Sequence, residues 1–168
     1  MLTIRPETAA DDAAVYEVNK LAFDNRDAEP QLVAALRGLP GTISLVAELD
    51  GQIVGHILFS QLQIQTPAET VSALSLAPLA VRPGFQNRGI GSALTRCGLD
   101  ECKARGHKIV IVLGHAGYYP RFGFSAVLAE PLDGPWGGGE HWMALELVPG
   151  ALDGVRGKVI FPKAFDSM

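Results

Sequence analysis

The chain has 168 residues, of which 48% are apolar and 19% charged, with a formal net charge of -4; this suits one globular domain with a full core, here taken as residues 1–168, and excludes a disordered chain. The acidic balance speaks against a general nucleic-acid binder, which would show a basic face, and is compatible with a cationic amine as partner. No apolar run approaches the roughly 20 residues that span a bilayer, and Met1-Leu2-Thr3-Ile4-Arg5-Pro6-Glu7 has no signal-peptide core, so neither a membrane partner nor export is expected.

In chain order, Leu2 to Arg5 is a short strand. Thr8 followed by Asp11 reads as a capping box, and Ala14, Val15, Val18, Leu21 and Ala22 then recur at helical spacing. Asp24-Asn25-Arg26-Asp27 breaks that pattern. Pro30 suits the first turn of a second helix whose apolar face is Leu32, Val33, Leu36 and Leu39, closed by Gly38 and Pro40-Gly41. Ile43 to Leu49 and Gln52 to Ile64 are strands joined by Asp50-Gly51, a strong hairpin signal, and Ser72 to Val81 is a third. Pro78 inside that strand cannot donate to a ladder and implies a bulge or an edge.

An apolar helical pattern begins at Ile90 and is expected to bury Ile90, Ala93, Leu94 and Cys97; Lys103, Arg105 and Gly106 suit its end. Cys97 and Cys102 share this helix but point in different directions, so both are expected as free thiols, in keeping with a reducing cytoplasm. Lys108 to Leu113 reads as a central strand parallel to the preceding one, Ala116 to Phe122 as a short irregular helix, and Phe124 to Leu128 and Trp142 to Leu147 as strands. The histidines and cysteines show no metal-ligand spacing, so no metal is expected.

The most informative stretch runs from Val81-Arg82-Pro83 to Leu94, a strand, a polar glycine-bearing turn and a helix start. Such a turn points several backbone N–H groups at one spot, the helix dipole adds partial positive charge, and glycines let a phosphate approach closely. Gln86-Asn87-Arg88-Gly89-Ile90-Gly91 is Q-x-x-G-x-G. It is no P-loop, because no G-x-x-x-x-G-K-[S/T] occurs, and no dinucleotide fingerprint, because Leu94 stands at the third glycine position.

This motif, with V-R-P before it, resembles the acetyl-CoA pyrophosphate loop of the GCN5-related N-acetyltransferase (GNAT) superfamily. Tyr118-Tyr119-Pro120-Arg121-Phe122-Gly123-Phe124 is similar to that superfamily's later Y-x-x-x-G-F segment. Leu79-Ala80-Val81, Gly114-His115 and the ending from Gly154 through Gly157-Lys158-Val159 to Phe165 further resemble its bacterial YhbS-like branch. The resemblance spans nearly the whole chain. It implies an α/β GNAT fold, a mixed central twisted sheet of about six or seven strands flanked by helices, in which two parallel strands splay at the cofactor site.

What the resemblance implies chemically is acyl transfer, most simply acetyl, from acetyl-CoA to an amine by direct attack in a ternary complex. Backbone N–H groups from Arg88 through Gly89, Ile90, Gly91 and Ser92 to Ala93, with Gln86 and Asn87 leading in, would hold the pyrophosphate; Leu79, Ala80 and Val81 would pair with the pantetheine amides. Arg82 and Arg88 either steer the phosphates or are solvated. Tyr119 aligns with the family's tyrosine and would act as acid, since a phenol with an ordinary pKa of about 10 stays protonated at neutral pH. Glu29 is the first candidate for the base, with a solvent chain as the alternative; His56 is a further candidate, against which stands the ordinary role of a core histidine. His115 stands where many relatives have Asn. Trp136, Glu140 and His141 flank the Gly134–Gly139 loop, for which closure over an acceptor and a plain surface role are both open. The competing reading is a non-catalytic acyl-CoA sensor; a longer acyl donor, the identity of the small-molecule or peptide amine and a homodimer also stay open.

Overall fold

The computed structural model describes all residues, Met1–Met168. The chain folds as two compact units, each discontinuous in sequence: the first comprises Met1–Ser60, Ala77–Asp100 and Lys163–Met168, the second Gln61–Leu76 and Glu101–Pro162.

In the first unit, β1 (Leu2–Pro6) pairs antiparallel with β2 (Ile43–Leu49), and β2 with the first part of β3 (Gln52–Gln65). Asp50 and Gly51 both take positive φ, 50° and 81°, the two left-handed residues that a tight hairpin matching strand twist requires. The end of β4 (Thr70–Val81) lies beside β3, where the Arg82 N–H donates to the Val54 carbonyl at 2.8 Å. Helices α1 (Asp12–Ala22) and α2 (Ala28–Arg37) pack on each other, burying Val15 and Val18 from one and Leu32, Val33 and Leu36 from the other. Ahead of α1 the Thr8 N–H donates to Asp11 Oδ2 at 2.7 Å, completing the capping box. Arg5 grips the same carboxylate with two nitrogens, at 2.8 and 3.0 Å, and holds it well below the usual carboxylate range.

The helix that opens with the glycine motif is α3 (Ile90–Ala104). Its start rests on β3 because Gly55 has no side chain: a Cβ there would lie 2.9 Å from Leu94 Cδ1 and 3.2 Å from Ile90 Cγ2. One turn on, Gly98 faces Phe59, whose Cε1 would be 2.5 Å from an added Cβ. The buried stripe therefore runs Ile90, Leu94, Gly98, Leu99 and Cys102. Cys97, expected inside, is exposed, and Ala93 is only half-buried, because Gly98 rather than Cys97 occupies the contact with the sheet.

In the second unit, β4 runs parallel to β5 (Ile109–Leu113), with Leu74 opposite Val110 and Ser75 opposite Ile111. The Ala77-Pro78 bond that follows in β4 is cis, and Pro78 brings no N–H. β5 pairs antiparallel with β7 (Trp142–Glu146), from Ile109–Glu146 to Leu113–Trp142. The end of β3 pairs with β8 (Gly157–Ile160), and β8 runs parallel to β6 (Leu132–Asp133). Since β3 and β4 pass through both units, the ladders belong to one open mixed sheet of eight strands, against the six or seven expected; the additions are β6 and β8, each four residues or shorter. Leu62, Ile64, Ile109, Ile111, Leu132, Trp142, Ala144 and Val159 form the core of this unit.

One further expectation needs correction. Residues 124–128 are not a strand: Ser125 makes an isolated bridge to Ala144 and then caps the short α4 (Ala126–Ala129), its Oγ accepting from the Leu128 N–H at 3.3 Å. Serine at the cap and alanines after it outweigh an alternation that Phe124, Ala126 and Leu128 also satisfy. Helix α2 begins at Ala28, and Pro30 lies in its first turn as expected, at the third position, where its missing N–H costs no helical bond. This places Glu29 inside the first turn.

Candidate active site

Residues Leu79 to Ala93 and Glu29 belong to the first unit, Tyr119 to the second. In β4, Ala80 is buried and Leu79 and Val81 are half-buried. The turn after Val81 is fixed internally: the Phe85 N–H donates to the Arg82 carbonyl at 3.0 Å and the Gln86 side-chain amide to the Val81 carbonyl at 2.9 Å. Asn87 and Gly89 take positive φ, 63° and 82°, which turns the chain sharply into α3. The Gly89 carbonyl accepts the first helical bond, from the Ala93 N–H at 3.0 Å. No protein acceptor takes the N–H groups of Arg88, Gly89, Ile90, Gly91 or Ser92. They cluster at the start of a 15-residue helix, in a turn whose residues 86–89 are exposed, and a Cβ on Gly89 would meet open space. This is the geometry of an anion cradle. Arg82 is not free to steer an anion, being bound to Glu17 through Nη2 at 2.6 Å; Arg88 lies over the Phe85 ring at 5.2 Å.

Glu29 is only 8% exposed. Its Oε2 accepts from Arg26 Nη2 at 3.0 Å, while Oε1 is buried without a partner. Ahead of it, Asp24 and Asn25 are consecutive left-handed residues, φ 56° and 60°, and Asp27 accepts from the Tyr16 hydroxyl at 2.7 Å, so the turn between the two helices is tightly shaped.

His56 has none of the attributes of a base. It is fully buried on β3, its Nε2 2.8 Å from Ser44 Oγ and its Nδ1 3.0 Å from Asn19 Nδ2, and burial pushes its pKa down to about 3, Arg37 adding to the effect. Ser44 Oγ in turn donates to Glu7 Oε1 at 2.6 Å, and Arg37 Nη2 to Glu7 Oε2 at 2.7 Å. This histidine belongs to a structural network.

In the second unit, β5 ends at Leu113, and beyond Gly114 the chain turns into a short 3-10 helix, Tyr119–Phe122, closed by Gly123 at φ 100°. The Tyr119 ring lies where a Gly114 side chain would be, and meets Phe124 and Tyr118 edge-on at 5.6 and 5.0 Å. It is 8% exposed; burial, with Tyr118 beside it, pushes the phenol well above its ordinary pKa. The neighbouring Tyr118 hydroxyl is buried with no partner, and its ring stacks against the Arg121 guanidinium at 4.9 Å.

Sequence reasoning did not foresee the Arg26 contact to Glu29, nor the way His141 returns to Gly114: the Gly114 N–H donates to the His141 carbonyl at 2.9 Å, and His141 Nδ1 lies 2.9 Å from the Gly114 carbonyl. The second depends on tertiary register. The i,i+3 spacing of Arg26 and Glu29 on a helix start is a local signal that could have been read for the first.

Residues 3–127 match the model of the acetyltransferase (GNAT) domain. The chain belongs to the GNAT acetyltransferase family. The uncharacterized N-acetyltransferase YhbS of Escherichia coli K12 is 33% identical over 169 residues, covering 98% of this chain and 99% of YhbS. YjhQ of the same organism, also called an uncharacterized N-acetyltransferase, is 39% identical over 118 residues, 68% of this chain and 65% of YjhQ. Among solved structures, E. coli YhbS in complex with CoA matches this GNAT chain with a TM-score of 0.89 at 32% identity, over 98% of this chain and 92% of that one. A GNAT acetyltransferase from Brucella melitensis in complex with acetyl-CoA matches with a TM-score of 0.80 at 34% identity, over 99% of each chain. The open mixed sheet flanked by helices is thus the GNAT fold of YhbS.

Proposed function

We propose that this acetyltransferase transfers an acetyl group from acetyl-CoA to an amine acceptor by direct attack, with Tyr119 as the acid and Glu29 as the group that takes the ammonium proton. The observation that carries the reading is the row of unpaired N–H groups from Arg88 to Ser92 at the open start of α3. Their number, and the exposure of Arg88 and Gly89, fit a pyrophosphate, which needs several donors converging on one spot, and relatives matched over the whole chain hold CoA or acetyl-CoA. When bound, the acyl donor supplies an activated thioester. The rest falls to side chains. Tyr119, held above the ordinary phenol range by burial, keeps its proton until negative charge develops beside it, and then donates it. Glu29 supplies buried negative charge that draws an ammonium, and its free Oε1 is the oxygen assigned to the proton.

The test is CoA release from acetyl-CoA across a panel of small amines and peptides, with product confirmed by mass. Tyr119→Phe should keep the affinity for acetyl-CoA and lose roughly a hundredfold in turnover. Unchanged turnover in that variant refutes the acid role. A wild type that binds acetyl-CoA and releases no CoA with any amine refutes the enzyme and leaves an acyl-CoA sensor.

A further inference from the structure

An ammonium becomes an amide nitrogen by losing two protons, and Glu29 is assigned one of them. We propose that His141 takes the second and passes it to water; the inference rests on the acyl-transfer reading above. His141 stands just before β7, beside the carboxyl end of β5, the end at which parallel strands gather functional groups. Its ring is not free to turn. Nδ1 lies 2.9 Å from the Gly114 carbonyl oxygen, and a carbonyl only accepts, so Nδ1 carries the hydrogen and the neutral ring keeps its lone pair on Nε2.

Gly114 ties this ring to the acid. The space a side chain at 114 would fill is taken by the Tyr119 ring, while the carbonyl of the same residue holds the imidazole. One glycine thus locates both groups, and no larger residue could. Two charged or polar neighbours face the imidazole: Glu140 from its own segment, Oε1 3.5 Å from Nε2, and the Gly114 carbonyl from β5; no other ion pair reaches it. Glu140 stands where a proton arriving on Nε2 places positive charge. The side chains of His141 and Glu140 are 57% and 76% exposed, so that proton has an exit to solvent, whereas Tyr119 is buried.

The steps balance. The acceptor's ammonium gives one proton to Glu29, its nitrogen bonds to the acyl carbon as the C–S bond breaks, and the Tyr119 proton goes to sulfur. The second N–H proton goes to His141 Nε2. Glu29 and His141 each release a proton to water and Tyr119 regains one, so one proton leaves per turnover.

The experiment measures CoA release for wild type, His141→Ala and His141→Asn from acidic to mildly alkaline pH, with and without added imidazole, alongside equilibrium affinity for acetyl-CoA. Asparagine retains a donor for the Gly114 carbonyl but offers no base, which separates the ring's structural bond from proton transfer. Expected are a roughly hundredfold fall in kcat in both variants, loss of one ionisation from the acid limb of kcat/KM, partial rescue of the alanine variant by imidazole, and unchanged acetyl-CoA affinity. A wild-type rate in the asparagine variant, or a fall in rate with an unaltered pH profile and no rescue, overturns the assignment of His141 alone. No release by the wild type overturns the acyl-transfer reading and this assignment with it.

Discussion

His56 makes a quantitative claim about stability. Its pKa falls from an ordinary 6.5 to about 3, chiefly because burial penalises the imidazolium and secondarily because Arg37 repels it. In the unfolded chain the same side chain binds a proton below about 6.5, so between that pH and about 3 the unfolded state holds one proton more. Stability then rises with pH through this window and is lost as pH falls through it. At about 1.4 kcal/mol per pH unit, acidifying from pH 7 to pH 5 should cost about 2 kcal/mol through this group alone. The figure holds wherever the folded value lies, so long as it is below about 4. Urea denaturation at the two pH values, for wild type and His56→Gln, isolates the term. The variant will be less stable at pH 7, because the bonds to Ser44 and Asn19 are disturbed, but its pH dependence should be shallower by about 2 kcal/mol over the interval. Equal slopes in the two proteins would refute the reasoning, whatever the absolute stabilities.

Three other outcomes follow from the geometry. Gly98→Ala should destabilise by roughly 1–2 kcal/mol in urea titrations, because the overpacking of a Cβ 2.5 Å from the buried Phe59 ring outweighs the gain of about 1 kcal/mol in helix propensity; a raised midpoint would show that Phe59 yields freely. In a thiol titration of the native protein, exposed Cys97 should react, while Cys102, buried and with its pKa pushed up to about 12, should react only after denaturant is added. Gly91→Glu, if folded by circular dichroism, should reduce acetyl-CoA binding at least a hundredfold, since a carboxylate would fill and repel the anion cradle; normal affinity would place the cofactor elsewhere.

How much could be read from the residues depended on the range of the interaction. The Asp50-Gly51 turn, the capping box at Thr8 and the glycine turn into α3 are local: a few residues dictate the dihedrals, and the structure has them in place. The GNAT assignment rested on such segments. What escaped was non-local. β6 and β8 are a parallel pair of two and four residues joined across more than twenty positions, too short to carry a period. Gly157 sits in β8 because the Gln65 carbonyl occupies the place of its side chain, a fact of approach rather than of propensity. The inward phase of α3 departs from the hydrophobic pattern at Cys97, since a glycine holding the contact with Phe59 is invisible to such a pattern. The candidate site divides the same way: the anion cradle is backbone, hence legible, whereas the ring of His141 reaches Gly114 only through the register of β5 and β7.

The network around His56 also has a sense of direction. Asn19 Nδ2 carries two hydrogens and has a use for each, one on the Val15 carbonyl and one on His56 Nδ1. That dictates the tautomer: the imidazole hydrogen sits on Nε2 and points to Ser44, whose own hydrogen points to Glu7, which ends the line against Arg37. Two helices, two strands and the residue after β1 meet in one network: the bonds run a single way from Asn19 to Glu7, where Arg37 donates from the other side. A proton reaching the ring would find no vacant lone pair, because one nitrogen already carries hydrogen and the other is engaged by an amide that can only give. The histidine is therefore chemically mute, silenced by an asparagine on α1.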